Sequence, residues 1–163
     1  MGHACDHDHD TEALDTASVK KRVAEAETRC QADGERLTAP RRRVLELLIQ
    51  SGEPMKAYDL IARFGEDGQA AKPPTVYRAL EFLERRGLAH RIASISAYVA
   101  CAEPESDGDP LHAAAFLICD CCGATQEVTG EQALSLNRAA ASAGYVIAHT
   151  TIEAHGRCPA CPA

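Results

Sequence analysis

The sequence of 163 residues predicts an α+β fold with two domains, and three observations support this prediction. Apolar residues recur at helical spacing in four segments of the first half, and two short β-type runs follow them. The second half predicts strands around a single helix. Two CxxC pairs, Cys119–Cys122 and Cys158–Cys161, lie in that second half.

Composition limits the class of protein. The chain is 45% hydrophobic, which is enough to bury a core, but no run approaches the roughly 18 apolar residues that span a membrane. The acidic start, MGHACDHDHD, lacks the apolar region of a secretory signal. We therefore expect a cytoplasmic protein with no membrane partner. In a reducing cytoplasm, eight cysteines favour metal binding over disulfides.

Charge is distributed unevenly along the chain. The net charge is −7, yet residues 36–91 carry eleven basic and seven acidic side chains, so the acidic excess lies in the flanks. A basic central region is the pattern expected of a surface that meets a polyanion.

The N-terminal part predicts a tail and four helices. Residues 1–13 are rich in His and Asp and are expected to be disordered, with no fixed metal site. The first helix is expected from about Asp15 to Asp33. Thr38 is expected to cap the second, which has Pro40 in its first turn, and the third runs from Lys56 to Phe64.

The fourth helix begins after Pro73–Pro74 and ends at Gly87. Its apolar stripe leaves Tyr77 and Arg78 facing outward. Residues 88–92 and 97–101 then predict a β-hairpin. This order is that of a winged helix-turn-helix over residues 14–101, whose fourth helix would enter the DNA major groove. A solvated helix face is the alternative; the Arg41–Arg43 cluster and the local positive charge favour DNA.

The remaining residues predict a linker and a small α/β domain. Residues 102–111 are acidic and rich in turn formers. Within residues 112–163, strands are expected at Ala114–Ile118, Thr125–Val128 and from Tyr145 to about Ala154, with a helix over Gly130–Ala143. So small a unit buries little apolar surface, so we expect a metal staple and dimerisation.

The two CxxC pairs predict a structural zinc site, because four thiolates complete a tetrahedral shell. Its ligands would be Cys119, Cys122, Cys158 and Cys161, and Gly123 would supply the turn. Disulfides or a redox dithiol are the alternatives. Redox CxxC motifs normally follow a strand and open a helix, and Cys158–Cys161 has nothing after it to form one.

Further metal-binding residue types lie on both sides of the linker. They are one thiol, two imidazoles and a carboxylate, a set that suits tetrahedral zinc: His90, Cys101, His112 and Glu127. Their spacing does not bring them together. Taken singly, the histidines fit an exposed surface and Cys101 fits a buried strand.

Several motifs together resemble the ferric uptake regulator family, in its zinc uptake regulator branch. The resemblance covers about residues 27–161. It rests on the segments RLTAPRR (36–42), AYDL (57–60), KPPTVYRAL (72–80), GLAH (87–90), FLICxxCG (116–123) and IEAHGxCxxC (152–161).

This resemblance implies a homodimeric, zinc-responsive transcriptional repressor that binds palindromic operator DNA of zinc-uptake genes. It implies two zinc ions per chain, one structural on the four CxxC thiols and one regulatory on His90, Cys101, His112 and Glu127. It places DNA contacts on Tyr77 and Arg78, to which we add Thr75, Arg41 and Arg42 from the basic region.

Other functions are less consistent with the residues. An iron- or peroxide-sensing repressor of the same family is the nearest alternative. A zinc-dependent hydrolase using Cys101, His112 and Glu127 would need an open coordination position, and four ligands leave none. We therefore expect no catalytic residues and no small-molecule substrate. Whether Cys121, His149, His155 or the N-terminal tail binds metal is left open by the sequence.

Overall fold

The computed structural model describes residues 14–65, 72–102, 113–128, 132–147 and 150–161. The chain divides into two compact units with the boundary between Pro104 and Glu105. The predicted N-terminal tail, most of the predicted linker, His112 and His149 lie outside the described residues. Within the described ranges, no helix has the length and apolarity that a bilayer crossing requires.

The N-terminal unit contains four helices: α1 Thr16–Ala32, α2 Ala39–Ser51, α3 Ala57–Phe64 and α4 Pro73–Arg85. Asp15 caps α1, because its carboxylate accepts the backbone N–H groups of Ala17 and Ser18. Prolines occupy the first turn of α2 and α4, where an N–H would have no helical partner. Thr38 is the N-cap residue of α2, as predicted, although its side chain makes no capping hydrogen bond.

Three short strands complete this unit: β1 Met55–Lys56, β2 Ala89–Ile92 and β3 Ala97–Ala100, in the order β1-β3-β2. The β2–β3 hairpin was predicted, whereas β1 was not, because two residues are too few to display a period. Lys56 belongs to β1 and caps α3, so α3 begins one residue later than predicted.

The core of the N-terminal unit lies between the helices and this sheet. The predicted apolar stripes are buried there, including Val44, Leu48, Leu60, Val76, Leu80 and Leu83. The architecture is a winged helix-turn-helix in which α4 and the β2–β3 hairpin are joined by a tight turn. Gly87 makes that turn with a φ of +65°, and the N–H of Leu88 donates to the carbonyl of Leu83.

The C-terminal unit contains β4 Ala113–Cys119, β5 Thr125–Val128, α5 Gln132–Ser142 and β6 Thr150–Gly156. The sheet order is β5-β4-β6, with β4 antiparallel to β5 and parallel to β6. The predicted α+β class is therefore correct.

The predicted start of the last strand at Tyr145 is wrong. Tyr145 and Val146 are 75% and 98% exposed, and β6 begins only at Thr150. Tyr145 instead terminates α5: its N–H donates to the carbonyl of Ala140, and Gly144 before it adopts a φ of +77°. This is a Schellman cap, which uses the residue after the glycine to close the helix.

Candidate metal centres and nucleic-acid interface

The two CxxC pairs come together because of the sheet register. Since β4 and β6 are parallel, both run toward the same edge, and Cys119 pairs with Gly156 at that edge. One CxxC begins at the last residue of β4, and the other follows β6 by two residues. The N–H of Asp120 donates to the carbonyl of Gly156, which holds the two loops side by side.

The first loop has the backbone of a metal-binding knuckle. The N–H of Gly123 donates to the carbonyl of Cys119, and Gly123 adopts a φ of +78°, as the sequence predicts for this position. The N–H of Cys158 donates to the Sγ of Cys119 at 3.3 Å. A backbone donor therefore points at this sulfur, as expected for a thiolate that binds a cation.

The four sulfurs have the spacing of a tetrahedral zinc site. The Sγ atoms of Cys119 and Cys161 are 3.8 Å apart, those of Cys122 and Cys158 are 3.7 Å apart, and all four lie within 4.8 Å of one another. Four sulfurs at about 2.3 Å from a tetrahedral zinc would lie about 3.8 Å apart. None of these four cysteines forms a disulfide in the structure. The residues therefore fit zinc, and their sulfurs lie well beyond the roughly 2.05 Å of a disulfide bond.

Hydrogen bonding prepares one thiol of the cluster to ionise first. Backbone N–H groups of Cys122 and Cys158 lower the pKa of the Cys119 thiol to about 6. Burial raises the pKa of Cys161, with further contributions from the neighbouring thiols. The cluster without metal thus holds one readily formed thiolate beside a thiol that resists ionisation.

Two more residues surround the cluster. Cys121 is partly exposed and lies in the same loop. His155 on β6 is hydrogen-bonded through Nδ1 to the carboxylate of Asp120 at 2.9 Å, and its Nε2 lies 4.0 Å from Glu153. Both ring nitrogens of His155 therefore face carboxylates, which makes it a link between β6 and the first loop.

His90 and Cys101 lie on one face of the β2–β3 hairpin. His90 on β2 pairs with Val99, and Cys101 comes two residues after Val99, so their side chains are diagonal neighbours. Both residues are buried, and a ring nitrogen of His90 lies within 4.8 Å of the Cys101 sulfur. Half of the second predicted ligand set is thus assembled within the N-terminal unit.

The other half of that set belongs to the C-terminal part of the chain. Glu127 lies on β5 opposite Phe116 of β4 and is partly buried. His112, the fourth predicted ligand, is outside the described residues. Its role stays a prediction.

The backbone of Cys101 has two partners that the sequence does not reveal. Its N–H donates to the carbonyl of Leu88 at 3.1 Å, and its carbonyl accepts from Nη2 of Arg22 at 2.6 Å. Arg22 lies on α1, 79 residues earlier. The sequence does not single it out, because a basic residue beside an apolar stripe normally faces solvent.

The helix α4 presents the predicted DNA-contacting residues. Tyr77 is 52% exposed, Arg78 is exposed and Thr75 is partly exposed. The opposite face of α4 is buried, so these side chains point outward from a fixed helix.

Arg41 and Arg42 contact the protein itself. The Arg41 guanidinium lies 3.5 Å from the centre of the Phe82 ring and donates to the carbonyl of Arg36. Arg42 is ion-paired with Glu27 of α1. A contact with DNA stays a prediction for both residues, whose side chains already join α2 to α4 and to α1.

Comparison with known proteins identifies relatives of this chain. A model of the ferric uptake regulator family matches residues 32–155. The zinc uptake regulation protein of Escherichia coli (strain K12) is 38% identical over 149 residues, which are 91% of this chain and 85% of that protein.

Solved structures give a consistent result. A zinc uptake regulator complexed with zinc and DNA is similar with a TM-score of 0.77 at 39% identity, covering 88% of this chain and 95% of the other. The crystal structure of holo XcZur is similar with a TM-score of 0.72 at 39% identity, covering 85% of this chain and 95% of the other.

Proposed function

Since the chain belongs to the ferric uptake regulator family, we propose that it is a zinc-responsive repressor whose zinc-loaded homodimer binds palindromic operator DNA of zinc-uptake genes in the cytoplasm. The observation that carries this proposal is the buried pair of His90 and Cys101 on the hairpin that directly follows α4. Metal that binds to two residues on the wing of a DNA-binding unit can alter DNA binding.

The four-thiol cluster is proposed as the structural site. The sulfur spacing of 3.7 and 3.8 Å and the backbone donors to Cys119 support a permanently bound zinc. All four ligands lie in one unit, at the ends of two paired strands. Metal there would stabilise the C-terminal unit.

The regulatory site is proposed to take His90 and Cys101 from the N-terminal unit, and His112 and Glu127 from the C-terminal part. Zinc, when bound, supplies a tetrahedral cross-link with no redox chemistry. Cys101 must give up its proton and His90 must present a neutral nitrogen, so metal uptake releases protons and weakens in acid. Two zinc ions per chain, one tight and one labile, are the expected stoichiometry.

The energetic requirement for a switch is modest. Moving a DNA-competent conformation from 1% to 99% of the population requires about 5.5 kcal/mol of differential binding. A structural zinc site made of similar ligands supplies about 10–16 kcal/mol. A labile site therefore needs only part of that free energy to act as a switch.

The DNA contacts are proposed to come from α4. Tyr77, Arg78 and Thr75 lie on its outward face, which would enter the major groove. Arg41 supports this helix through Phe82, and Arg42 joins α2 to α1 through Glu27; a DNA contact by either residue stays a prediction.

Dimerisation is proposed to use the C-terminal unit. Its described residues expose large apolar side chains: Leu117, Leu136, Tyr145 and Val146. We propose that these residues share a surface that a partner covers, because contiguous exposed apolar patches mark interaction sites. A second copy of the chain would cover it and bring a second α4 to the other half of a palindrome.

The test compares Cys101→Ser with wild type and with Cys121→Ser, which removes a thiol outside both ligand sets. Operator DNA is first selected from a random pool with zinc-loaded wild type. We expect Cys101→Ser to remain a folded dimer with one tight zinc but to lose zinc-dependent binding in a mobility-shift assay. Cys121→Ser should behave as wild type. Zinc-dependent binding by Cys101→Ser equal to that of wild type would refute the sensor assignment.

The same assay separates zinc from iron. Titrating the wild type with zinc and with ferrous iron, with metal content measured, should show half-maximal operator binding at a much lower free zinc concentration. A response to iron at the lower concentration would favour the iron-sensing alternative.

A further inference from the structure

We propose that Arg22 of α1 is a positioning residue for the regulatory metal site: it holds the Cys101 backbone so that the thiol faces His90. The inference rests on the proposed role of Cys101 as a metal ligand. Arg22 is not expected to bind the metal or DNA itself.

The geometry that supports this proposal is a charge-assisted hydrogen bond. Nη2 of Arg22 donates to the carbonyl oxygen of Cys101 at 2.6 Å in a partly buried position. Hydrogen bonds from an ionised donor are shorter and about twice as strong as neutral ones. A guanidinium also offers a rigid planar fork, so it fixes the direction of the group that it binds.

Cys101 needs such support because it lies at an end of the sheet. The β3 strand ends at Ala100, and the N–H of Cys101 is held by Leu88 at 3.1 Å. The carbonyl of Cys101 belongs to the next peptide group, and it accepts a hydrogen bond from Arg22. With the N–H held by the hairpin and the carbonyl held by α1, both peptide groups that flank the Cα of Cys101 are fixed.

Fixing these peptide groups limits the positions that the sulfur can take. A cysteine side chain has a single rotatable bond before Sγ, so the position of Sγ follows from the backbone and one staggered angle. Metal–ligand distances tolerate deviations of only about 0.2 Å. A residue that orients a ligand without touching the metal typically changes metal affinity by roughly 10- to 100-fold when it is removed.

The helix that carries Arg22 is itself well anchored. Val19 and Val23, on either side of Arg22 in sequence, are 3% and 2% exposed and belong to the core of the N-terminal unit. Arg22 is half-buried beside them. The guanidinium therefore extends from a rigid base, which is the requirement for a positioning role.

The experiment uses the full-length protein with its tight zinc retained, and zinc as the probe. Arg22→Met keeps the aliphatic part of the side chain and removes the guanidinium. Lys20→Met is the matched control, because it removes one positive charge from an exposed position on the same helix. Arg22→Lys keeps the charge and one donor but not the fork. Affinity for the labile zinc is measured by competition with a chromophoric chelator, and operator binding is measured across the same zinc range.

We expect Arg22→Met to weaken the labile site roughly 10- to 100-fold and Lys20→Met to change it by less than about twofold. Arg22→Lys should fall between them. The zinc dependence of operator binding should shift by the same factor, with an unchanged plateau at saturating zinc. Cobalt added in place of zinc should show a weaker thiolate-to-metal absorption band in Arg22→Met at equal, subsaturating metal.

Two results would overturn the proposal. One is equal zinc affinity in Arg22→Met and Lys20→Met. The other is a lowered plateau together with a lowered melting temperature, which would make Arg22 a general stabiliser of the fold. If Arg22→Met fails to fold, Arg22→Lys decides by the same two criteria.

A Cys101→Ser sample measured in parallel separates this inference from the proposed function. If it retains the labile zinc, the assignment of Cys101 as a ligand fails. If it loses the labile zinc while Arg22→Met binds like wild type, only the role of Arg22 fails.

Discussion

Replacing Cys119 with serine tests whether the four-thiol cluster holds the C-terminal unit together. Serine has nearly the same size, but its hydroxyl is a poor zinc ligand at neutral pH. In the structure the Cys119 sulfur accepts the N–H of Cys158 and lies 3.8 Å from the sulfur of Cys161. We expect the variant to lose the tight zinc, and the C-terminal unit to unfold.

The expected loss of stability is large because the C-terminal unit buries few apolar side chains. Its buried apolar side chains, among the described residues and apart from the cluster's own cysteines, are Ala114, Ala115, Phe116 and Ile118. Burying a large side chain contributes about 1.5–3 kcal/mol, so Phe116 and Ile118 together contribute on the order of 5 kcal/mol. A structural zinc contributes about 10–16 kcal/mol. Since the metal exceeds the core, removing it leaves too little to offset the conformational entropy of the unit.

The assay is zinc content per chain by elemental analysis, combined with size-exclusion chromatography and thermal melting. Cys121→Ser is the matched control, because it removes the remaining thiol of the same loop. It should keep its zinc and its dimeric state. The reasoning is refuted if Cys119→Ser has the zinc content and melting temperature of wild type. Loss of zinc in Cys121→Ser as well would place the fifth thiol among the ligands.

Three further outcomes are expected. Arg78→Ala should weaken operator binding by about 1–3 kcal/mol without lowering the melting temperature. Arg41→Ala should instead lower the melting temperature, because it removes a guanidinium that lies 3.5 Å from the Phe82 ring centre. A larger loss of DNA affinity in Arg41→Ala than in Arg78→Ala would reverse these assignments. Acid should release the tight zinc only at a pH below about 6, because backbone hydrogen bonds already hold the pKa of the metal-free Cys119 thiol near that value, below the usual 9.0, and a bound cation lowers the pKa of a coordinating thiol further. A chelator absorbance assay that shows release already complete at pH 7 would contradict this. Leu117→Asp places a charge on an apolar residue that is 48% exposed, and it should convert the dimer to a monomer in light scattering. An unchanged mass would exclude Leu117 from the dimer interface.

Helical periodicity predicts most of the N-terminal unit correctly, for a physical reason. An amphipathic helix must bury its stripe, so Val76, Ala79, Leu80 and Leu83 could be placed inside and Tyr77 outside from the sequence alone. The same reasoning fails after α5. Tyr145 begins an apolar run that is typical of a strand, but the preceding glycine closes a helix cap and leaves the side chain in solvent.

The two candidate metal centres differ in how far the sequence predicts them. A CxxC pair is a local signal, and two such pairs predict one shared metal site. The parallel pairing of β4 and β6 brings the two pairs together. His90 and Cys101 become neighbours only through the hairpin register, and the sequence shows a hairpin but not its register. The bond from Arg22 to Cys101 joins residues 79 positions apart, and no local pattern encodes such a contact.

The strongest motif of the chain is therefore the one least suited to sensing. The four CxxC thiols lie together in one unit, and the lowered pKa of Cys119 favours retention of a metal. The proposed regulatory site takes two of its four ligands, His90 and Cys101, from a hairpin joined directly to α4. Under this proposal the remaining ligands, His112 and Glu127, come from a different part of the chain. The affinity of the site then depends on conformation, and by linkage the conformation depends on metal. That reciprocity is what a regulator requires, and a preformed four-thiol cluster lacks it.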